Sequence, residues 1–158
     1  MKISIKNFLK TGMFGPVNIG ITKDNAIQLL GKPDYDSKLG KTASILLYGC
    51  YELFFNHESK LYSIQNDNYN PSDSTTYNFK NELFEIDSWF LNDNQNQTLE
   101  DISKLLFTFD IDHNIQSYYG RNVIVTSSNV VIDFSDEPNN LGVHELIGIR
   151  YRSSEFHT

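Results

Sequence analysis

Residues 22–30 read TKDNAIQLL, and residues 98–106 read TLEDISKLL. The match runs through the chemistry of a helix start and a buried stripe. Thr22 aligns with Thr98, Asn25 with Asp101, Ala26 with Ile102, and Leu29-Leu30 with Leu105-Leu106. The offset is 76 positions, from 22 to 98. Two further echoes follow. Phe55-Asn56-His57-Glu58 is answered by Phe134-Ser135-Asp136-Glu137, and Leu61-Tyr62-Ser63-Ile64 by Leu146-Ile147-Gly148-Ile149. The same order of helix, strand, turn and strand is used twice, with small insertions in the second copy. That order predicts a tandem of two related units.

Each helix has its own punctuation. A Thr hydroxyl at the N-cap accepts an orphan amide hydrogen bond, so Thr22 and Thr98 each open a helix. Asp24 sits in the first turn, where the helix dipole favours negative charge. Thr98-Leu99-Glu100-Asp101 has the form of a capping box with Asp in the last place. Ala26, Ile27 and Leu30 make one buried stripe; Ile102, Leu105 and Leu106 make the other. Gly31 ends the first helix and Pro33 prevents its continuation.

Outward from these helices the pattern turns to strands. Ser44–Gly49, Tyr51–Asn56 and Lys60–Gln65 are expected strands of the first unit. Ile115–Tyr119, Val123–Ser127, Asn129–Phe134 and Glu145–Tyr151 are those of the second. Asn56–Ser59 is a polar break suited to an antiparallel hairpin. Period-two alternation sends Tyr51, Leu53 and Phe55 to one face, Glu52 and Phe54 to the other. Residues 2–9 alternate loosely and read as an opening strand, broken at Gly12, Gly15 and Pro16. Residues 66–76 (NDNYNPSDSTT) read as the linker between units. Residues 77–91 fit strand or helix equally. Asn92–Gln97 reads as a polar loop and 152–158 as a loose tail. The expected fold is α+β: two tandem units, 1–70 and 71–158, each a short helical segment packed on an antiparallel sheet.

Composition bounds the function. The chain has 158 residues, net charge −7, and nine Tyr and eleven Phe. The aromatics supply a core, so the chain is not disordered. The 13 Lys and Arg are scattered along an acidic chain, so no nucleic-acid surface is expected. An acidic surface suits a basic protein partner, although the same charge also serves solubility. No apolar run reaches membrane-span length and no secretory signal is read at the N-terminus, so the expected location is cytoplasmic.

The chemical candidates are weak. Cys50, the single cysteine, excludes an internal disulfide and reads as a small buried hydrophobe. His57, His113, His144 and His157 have no ligand spacing, and no metal or other cofactor is expected. Asp110–Asn114 lacks the Gly and Glu of a calcium loop and reads as a solvated turn. Asp133, Asp136 and Glu137 cluster near a strand end, as an acidic binding rim or simply a solvated loop. Phe54 and Tyr62 fall opposite the core face, where aromatics anchor interfaces unless a second layer covers them.

The first unit resembles a known pattern. Gly20, Thr22, Ala26, Leu29, Leu30, Gly31 and Pro33 are followed by Tyr48, then Leu53 and Phe55, then Leu61 and Ile64. This is similar to the β-lactamase-inhibitor-protein-like architecture shared with the SmpA/OmlA lipoproteins. The resemblance covers residues 18–65, and 98–151 through the echo. It implies helix-on-sheet units, some in tandem, and functions in protein binding and assembly. The matched residues are a cap, a core stripe and a helix stop, so no active site is implied. The run Tyr48-Gly49-Cys50-Tyr51-Glu52-Leu53-Phe54-Phe55 also resembles immunity proteins of bacterial toxin systems. The expected function is thus a non-enzymatic immunity protein binding a cognate toxin through Glu52, Phe54, Tyr62, Asp133, Asp136 and Glu137. The alternatives are a small acidic hydrolase or ligand-binding domain, or a self-associating assembly protein.

Overall fold

Both matched segments are helices with the caps their sequences require. In a computed structural model that describes residues 1–93 and 98–152, the first is α2 (Lys23–Leu30) and the second α3 (Leu99–Thr108). The Thr22 hydroxyl accepts from the Asn25 N–H at 3.3 Å and the Thr98 hydroxyl from the Asp101 N–H at 3.1 Å. Gly31 closes α2 with φ +86 and donates its N–H to Ile27 O. A side chain is strained at that φ, which is why the stop is a glycine.

The strands fall where alternation expects them. They are β3 (Ala43–Tyr48), β4 (Tyr51–Phe55) and β5 (Leu61–Asn66), then β7 (His113–Tyr118), β8 (Arg121–Thr126), β9 (Val130–Phe134) and β10 (Leu146–Arg152). With β2 (Tyr35–Leu39), they form one eight-stranded sheet in the order β2-β3-β4-β5-β10-β9-β8-β7, antiparallel throughout. Four consecutive strands make each half. The halves join between their last strands, where Ile149 pairs with Asn66 and Tyr151 with Ile64. Gly148 makes that joint possible, because a Cβ there would stand 2.3 Å from Asn66 O.

One face of the sheet holds the core. Tyr51, Leu53 and Phe55 of β4 are buried, as are Ile132 and Phe134 of β9. They join Ala26 and Leu30 of α2 and Ile102 and Leu106 of α3 in a single cluster. Burying these apolar faces against each other is what stabilises helices too short to persist alone.

Three expectations are corrected. Only Lys2–Ser4 of residues 2–9 is a strand, β1; Ile5–Thr11 is a helix, α1. Ser4 caps it by accepting from the Asn7 N–H, and Ile5, Phe8 and Leu9 are buried on one stripe, so the loose alternation there hides a helical period. Second, the structure adds β2 to the expected strands. All five of its residues are exposed, so no apolar pattern marks it, and it forms because β3 offers an open ladder. Third, residues 66–76 are not a free linker. Asn66 belongs to β5 and is buried, its amide donates to Thr76 O at 2.8 Å, and Tyr69 is buried.

The ambiguous stretch 77–91 closes the core. Phe84, Ile86, Phe90 and Leu91 are buried. Glu85–Asp87 forms β6, which pairs in parallel with β1, Ile3 against Ile86. A 3-10 turn follows at Trp89–Asn92. The expected polar loop 92–97 and tail 152–158 lie largely outside the described residues, although Arg152 itself ends β10. Among the described residues, no helix is long and apolar enough to cross a membrane.

Candidate functional site

The second face of the sheet carries the candidate site. Strand alternation turns Glu52 and Phe54 of β4 to this side, half-buried between buried neighbours. Cross-strand register then extends two rows over the joint. Glu52 lies opposite Gln65, Gln65 opposite Arg150, and Arg150 opposite Val131. Phe54 lies opposite Ser63, and Ser63 opposite Arg152. A register shift between Phe54 and Phe55 adds one residue to β5, so Tyr62 joins Ser63 on this side. The Tyr62 ring sits 6.1 Å from the Phe54 ring at 47°.

Across the joint, side chains from three strands converge. Asp133 of β9 is only 2% exposed. Arg121 of β8 donates to it through Nε at 2.8 Å and Nη2 at 2.9 Å, and Arg150 of β10 donates through Nη1 at 2.9 Å. Arg121 also reaches Asp136 through Nη1 at 2.9 Å. Burial alone would push the Asp133 carboxyl up; the hydrogen bonds and charges of Arg121 and Arg150 outweigh it and hold it below the usual carboxylate range. The hydrogen bonds Arg121 donates to Asp133, against the cost of burial, keep the arginine more firmly protonated than usual. The Tyr118 ring of β7 lies against three guanidinium groups, with centroid distances of 5.2 Å to Arg121, 5.5 Å to Arg150 and 4.5 Å to Arg152. Val123 and Val131 are buried on this side, apart from the main core cluster, at 2% and 3% exposure. Long arginine stems and the tyrosine ring are the kind of cover that keeps such valines dry.

The expected contact residues fall into two groups. Glu52, Phe54 and Tyr62 lie together on the first half of this face. Glu52 accepts from Gln65 Nε2 at 3.3 Å, and burial pushes its carboxyl above the usual range. Asp133, Asp136 and Glu137 lie at the end of β9 and beyond it. Asp136 and Glu137 are exposed, whereas Asp133 is buried and committed to two arginines, so the rim available to a partner is Asp136 and Glu137. The reading of Lys and Arg as merely scattered is corrected. Arg121, Arg150 and Arg152 are distant in part of the sequence but gather around Tyr118, because β8 and β10 flank β9. The signal was the spacing of Arg150 and Arg152, two apart in a strand and therefore on one face.

Other chemistry is sparse. A cleft of about 320 Å3 beside Arg121 is lined by Thr98, Glu100, Asp136 and His144, among others. His144 Nδ1 donates to Ser135 O at 2.8 Å. Burial first, then the charges of Asp73, Glu52 and Asp67, push the Cys50 thiol up, opposite to the activation a nucleophilic thiolate needs. Among the described residues, no three His, Cys, Asp or Glu side chains come together as metal ligands; His157 lies outside those residues. One pair escaped the sequence reading. Ser103 Oγ is 2.7 Å from His113 Nε2, and His113 Nδ1 is 2.8 Å from Ile111 O. The carbonyl only accepts, so Nδ1 carries a proton, and in the neutral imidazole Nε2 then accepts from the serine hydroxyl.

No family model and no curated protein matches the chain. Among solved structures it is similar to an extracellular protein containing an SCP domain from Bacillus anthracis str. Ames. The identity is 15%, covering 87% of this chain and 44% of that one, with a TM-score of 0.41. The chain thus spans less than half the length of that protein.

Proposed function

We propose that the chain is a non-enzymatic protein-binding module of two related units, 1–70 and 71–158, acting as a cytoplasmic immunity protein that binds and neutralises a cognate bacterial toxin. The observation that carries this reading is the second face of the sheet. It presents the half-buried Phe54–Tyr62 pair beside a Tyr118–arginine cluster. Aromatic and arginine side chains are the residues that most often dominate binding energy. The exposed carboxylates of Asp136 and Glu137 border it, suited to steering a basic partner.

The two-unit reading draws support from equivalence of position. Each half runs a short strand, a helical turn or helix, a capped helix and four antiparallel strands: β1, α1, α2, β2–β5, and then, after an additional 3-10 turn at Ser74–Thr76, β6, the 3-10 turn Trp89–Asn92, α3, β7–β10. The echoed residues keep step with this order. Phe55 ends β4 and Phe134 ends β9; Leu61 opens β5 and Leu146 opens β10.

The test is co-expression with the toxin encoded beside this gene. Growth should be rescued, and the two proteins should co-purify. Phe54→Ala should speed dissociation, because it removes an apolar anchor. Moderate salt, or charge reversal of Asp136 and Glu137, should slow association. Unchanged kinetics in every variant would reject this face; failure to bind or protect would reject the immunity reading.

A second reading, a small hydrolase, has the Ser103–His113 hydrogen bond in its favour. Such a pair can activate a serine. Against it, Ser103 is the fifth residue of α3, beyond the four free amides of the first turn, so the surrounding helix offers no amide pair to an oxyanion. Labelling of Ser103 by a fluorophosphonate, lost in Ser103→Ala, would favour the hydrolase.

A further inference from the structure

An open β-sheet has two edges, and each exposes a row of unpaired amides and carbonyls that can template another strand. The two edges of this sheet differ. The β2 edge carries Asp36 and Lys38, and Lys23 of α2 reaches across to Asp36 at 2.6 Å. Charge and a covering side chain are common means of blocking strand addition. The β7 edge reads His113-Asn114-Ile115-Gln116-Ser117-Tyr118, with no acidic residue, lysine, arginine or proline. Its four central residues are exposed, and Ile115 is 51% exposed.

The register says which backbone groups face outward. Asp112 O accepts from the Ser127 N–H, and His113 lies opposite Thr126. In an antiparallel ladder, bonded and non-bonded pairs alternate. Asn114, Gln116 and Tyr118 therefore bond to β8, while His113, Ile115 and Ser117 turn their N–H and C=O groups to the free edge. The side chains of these three share the α3 side of the sheet, where His113 meets Ser103. On that side Phe107, 80% exposed, lines a shallow depression together with His113.

We propose that β7 is a homodimer seam, pairing antiparallel with β7 of a second copy about a two-fold axis at Ile115. In that register Ile115 faces Ile115 of the second copy, and His113 faces Ser117. Each is an outward-facing residue, so every opposed pair exchanges both of its hydrogen bonds. Charge selects a second copy as the occupant. His113–Tyr118 carries no acidic, lysine or arginine residue, and in this register the exposed Asp112 of each copy falls opposite Tyr118 of the other, whose ring lies against Arg121, Arg150 and Arg152, so opposite charges meet at both ends of the seam. The self-complementary pairing is what a two-fold interface requires. The seam is one short strand with one apolar side, so a reversible dimer is expected rather than an obligate one.

Sedimentation of the full chain over a concentration series tests this. The wild type should shift from monomer to dimer with rising concentration. Ile115→Lys should remain monomeric, because it sets two like charges face to face. Ser117→Pro should do the same by removing an outward N–H that β8 does not use, so its circular dichroism should match the wild type. Tyr35→Ser at the β2 edge should dimerise normally. In a Cys50→Ser background, Ile115→Cys should form an intermolecular disulfide under mild oxidation. A wild type that stays monomeric at high micromolar concentration would overturn the proposal. So would dimerisation that survives both β7 variants or is lost with Tyr35→Ser.

Discussion

Arg121 grips Asp133 with both prongs of its guanidinium, Nε at 2.8 Å from one carboxylate oxygen and Nη2 at 2.9 Å from the other. The geometry is the fork-to-fork pairing that lysine cannot make. The carboxylate is nearly inaccessible, so the pair gains from a low local dielectric and depends on remaining complete. Asp133→Ala leaves Arg150 without its carboxylate partner and Arg121 with Asp136 alone. The expected loss is about 3–5 kcal/mol, the range for breaking a buried pair. Urea unfolding measures it, and a loss under about 1 kcal/mol would show that water replaces the carboxylate.

The same pair sets an acid limit. The Asp133 carboxyl titrates below its unfolded value of about 3.9. A depressed folded-state value contributes stability that is present above the unfolded value and lost as pH falls through the folded one. Unfolding free energy should therefore hold down to about pH 4 and then drop. Asp133→Asn should start less stable and show a shallower drop, seen in denaturant titrations across that range.

Buried tyrosines set an alkaline limit. Burial, reinforced by the charges of Asp34 and Asp36, pushes the Tyr48 hydroxyl up to about 12. Burial raises Tyr51 and Tyr69 as well. A raised value contributes stability that is complete below the unfolded value of about 10 and lost as pH rises through the folded one. Tyrosinate absorbance should thus show Tyr48, Tyr51 and Tyr69 ionising only together with loss of the far-ultraviolet signal. Ionisation of all nine tyrosines in a chain that stays folded would contradict the burial of these three.

Leu30 and Leu106 are both fully buried, one on each capped helix. Leu30→Ala and Leu106→Ala should each cost about 2–5 kcal/mol. Phe107, the next residue but exposed, should tolerate Ser with a change within about 0.5 kcal/mol. Equal losses at Leu106 and Phe107 in thermal unfolding would show that α3 faces the core differently.

Gly148→Ala should be among the most damaging single-atom additions. The new Cβ would meet Asn66 O at 2.3 Å and Asp67 Cα at 2.7 Å, both backbone atoms of the chain it joins. Overpacking costs about 1–3 kcal/mol where neighbours can shift. Here the neighbour is the joint of the two sheet halves, so the upper end or loss of folding is expected in a solubility and circular-dichroism screen.

The parts of this protein that were legible are those written in one local stretch. Thr22 and Thr98 announce their helices because a cap bonds only three residues ahead. The face of β4 could be read because alternation depends only on neighbours along the chain. The helix α1 was misread because its few apolar residues fit both periods, and it took the Ser4 cap and Gly12 stop to decide. Strand β2 left no trace because an exposed edge strand buries no alternating side.

The acidic cluster shows the same division at the site. Asp133, Asp136 and Glu137 were visible as a group, but Asp133 turned out to be the buried partner of two arginines. Its sequence neighbours gave no hint, since Arg121 and Arg150 come from the strands on either side.

By itself, then, the amino-acid order determined two capped helices, most of the strands, their inner faces and an α+β chain. These rest on short-range hydrogen bonds and side-chain direction, which the backbone period sets residue by residue. Only the tertiary structure decided that the strands join into one eight-stranded sheet through β5 and β10, and that Tyr118 sits among three arginines. It also left β7 uncharged at the free edge. Strand order and cross-strand contact arise from packing between segments far apart in the chain, and no local pattern encodes which strand lies beside which.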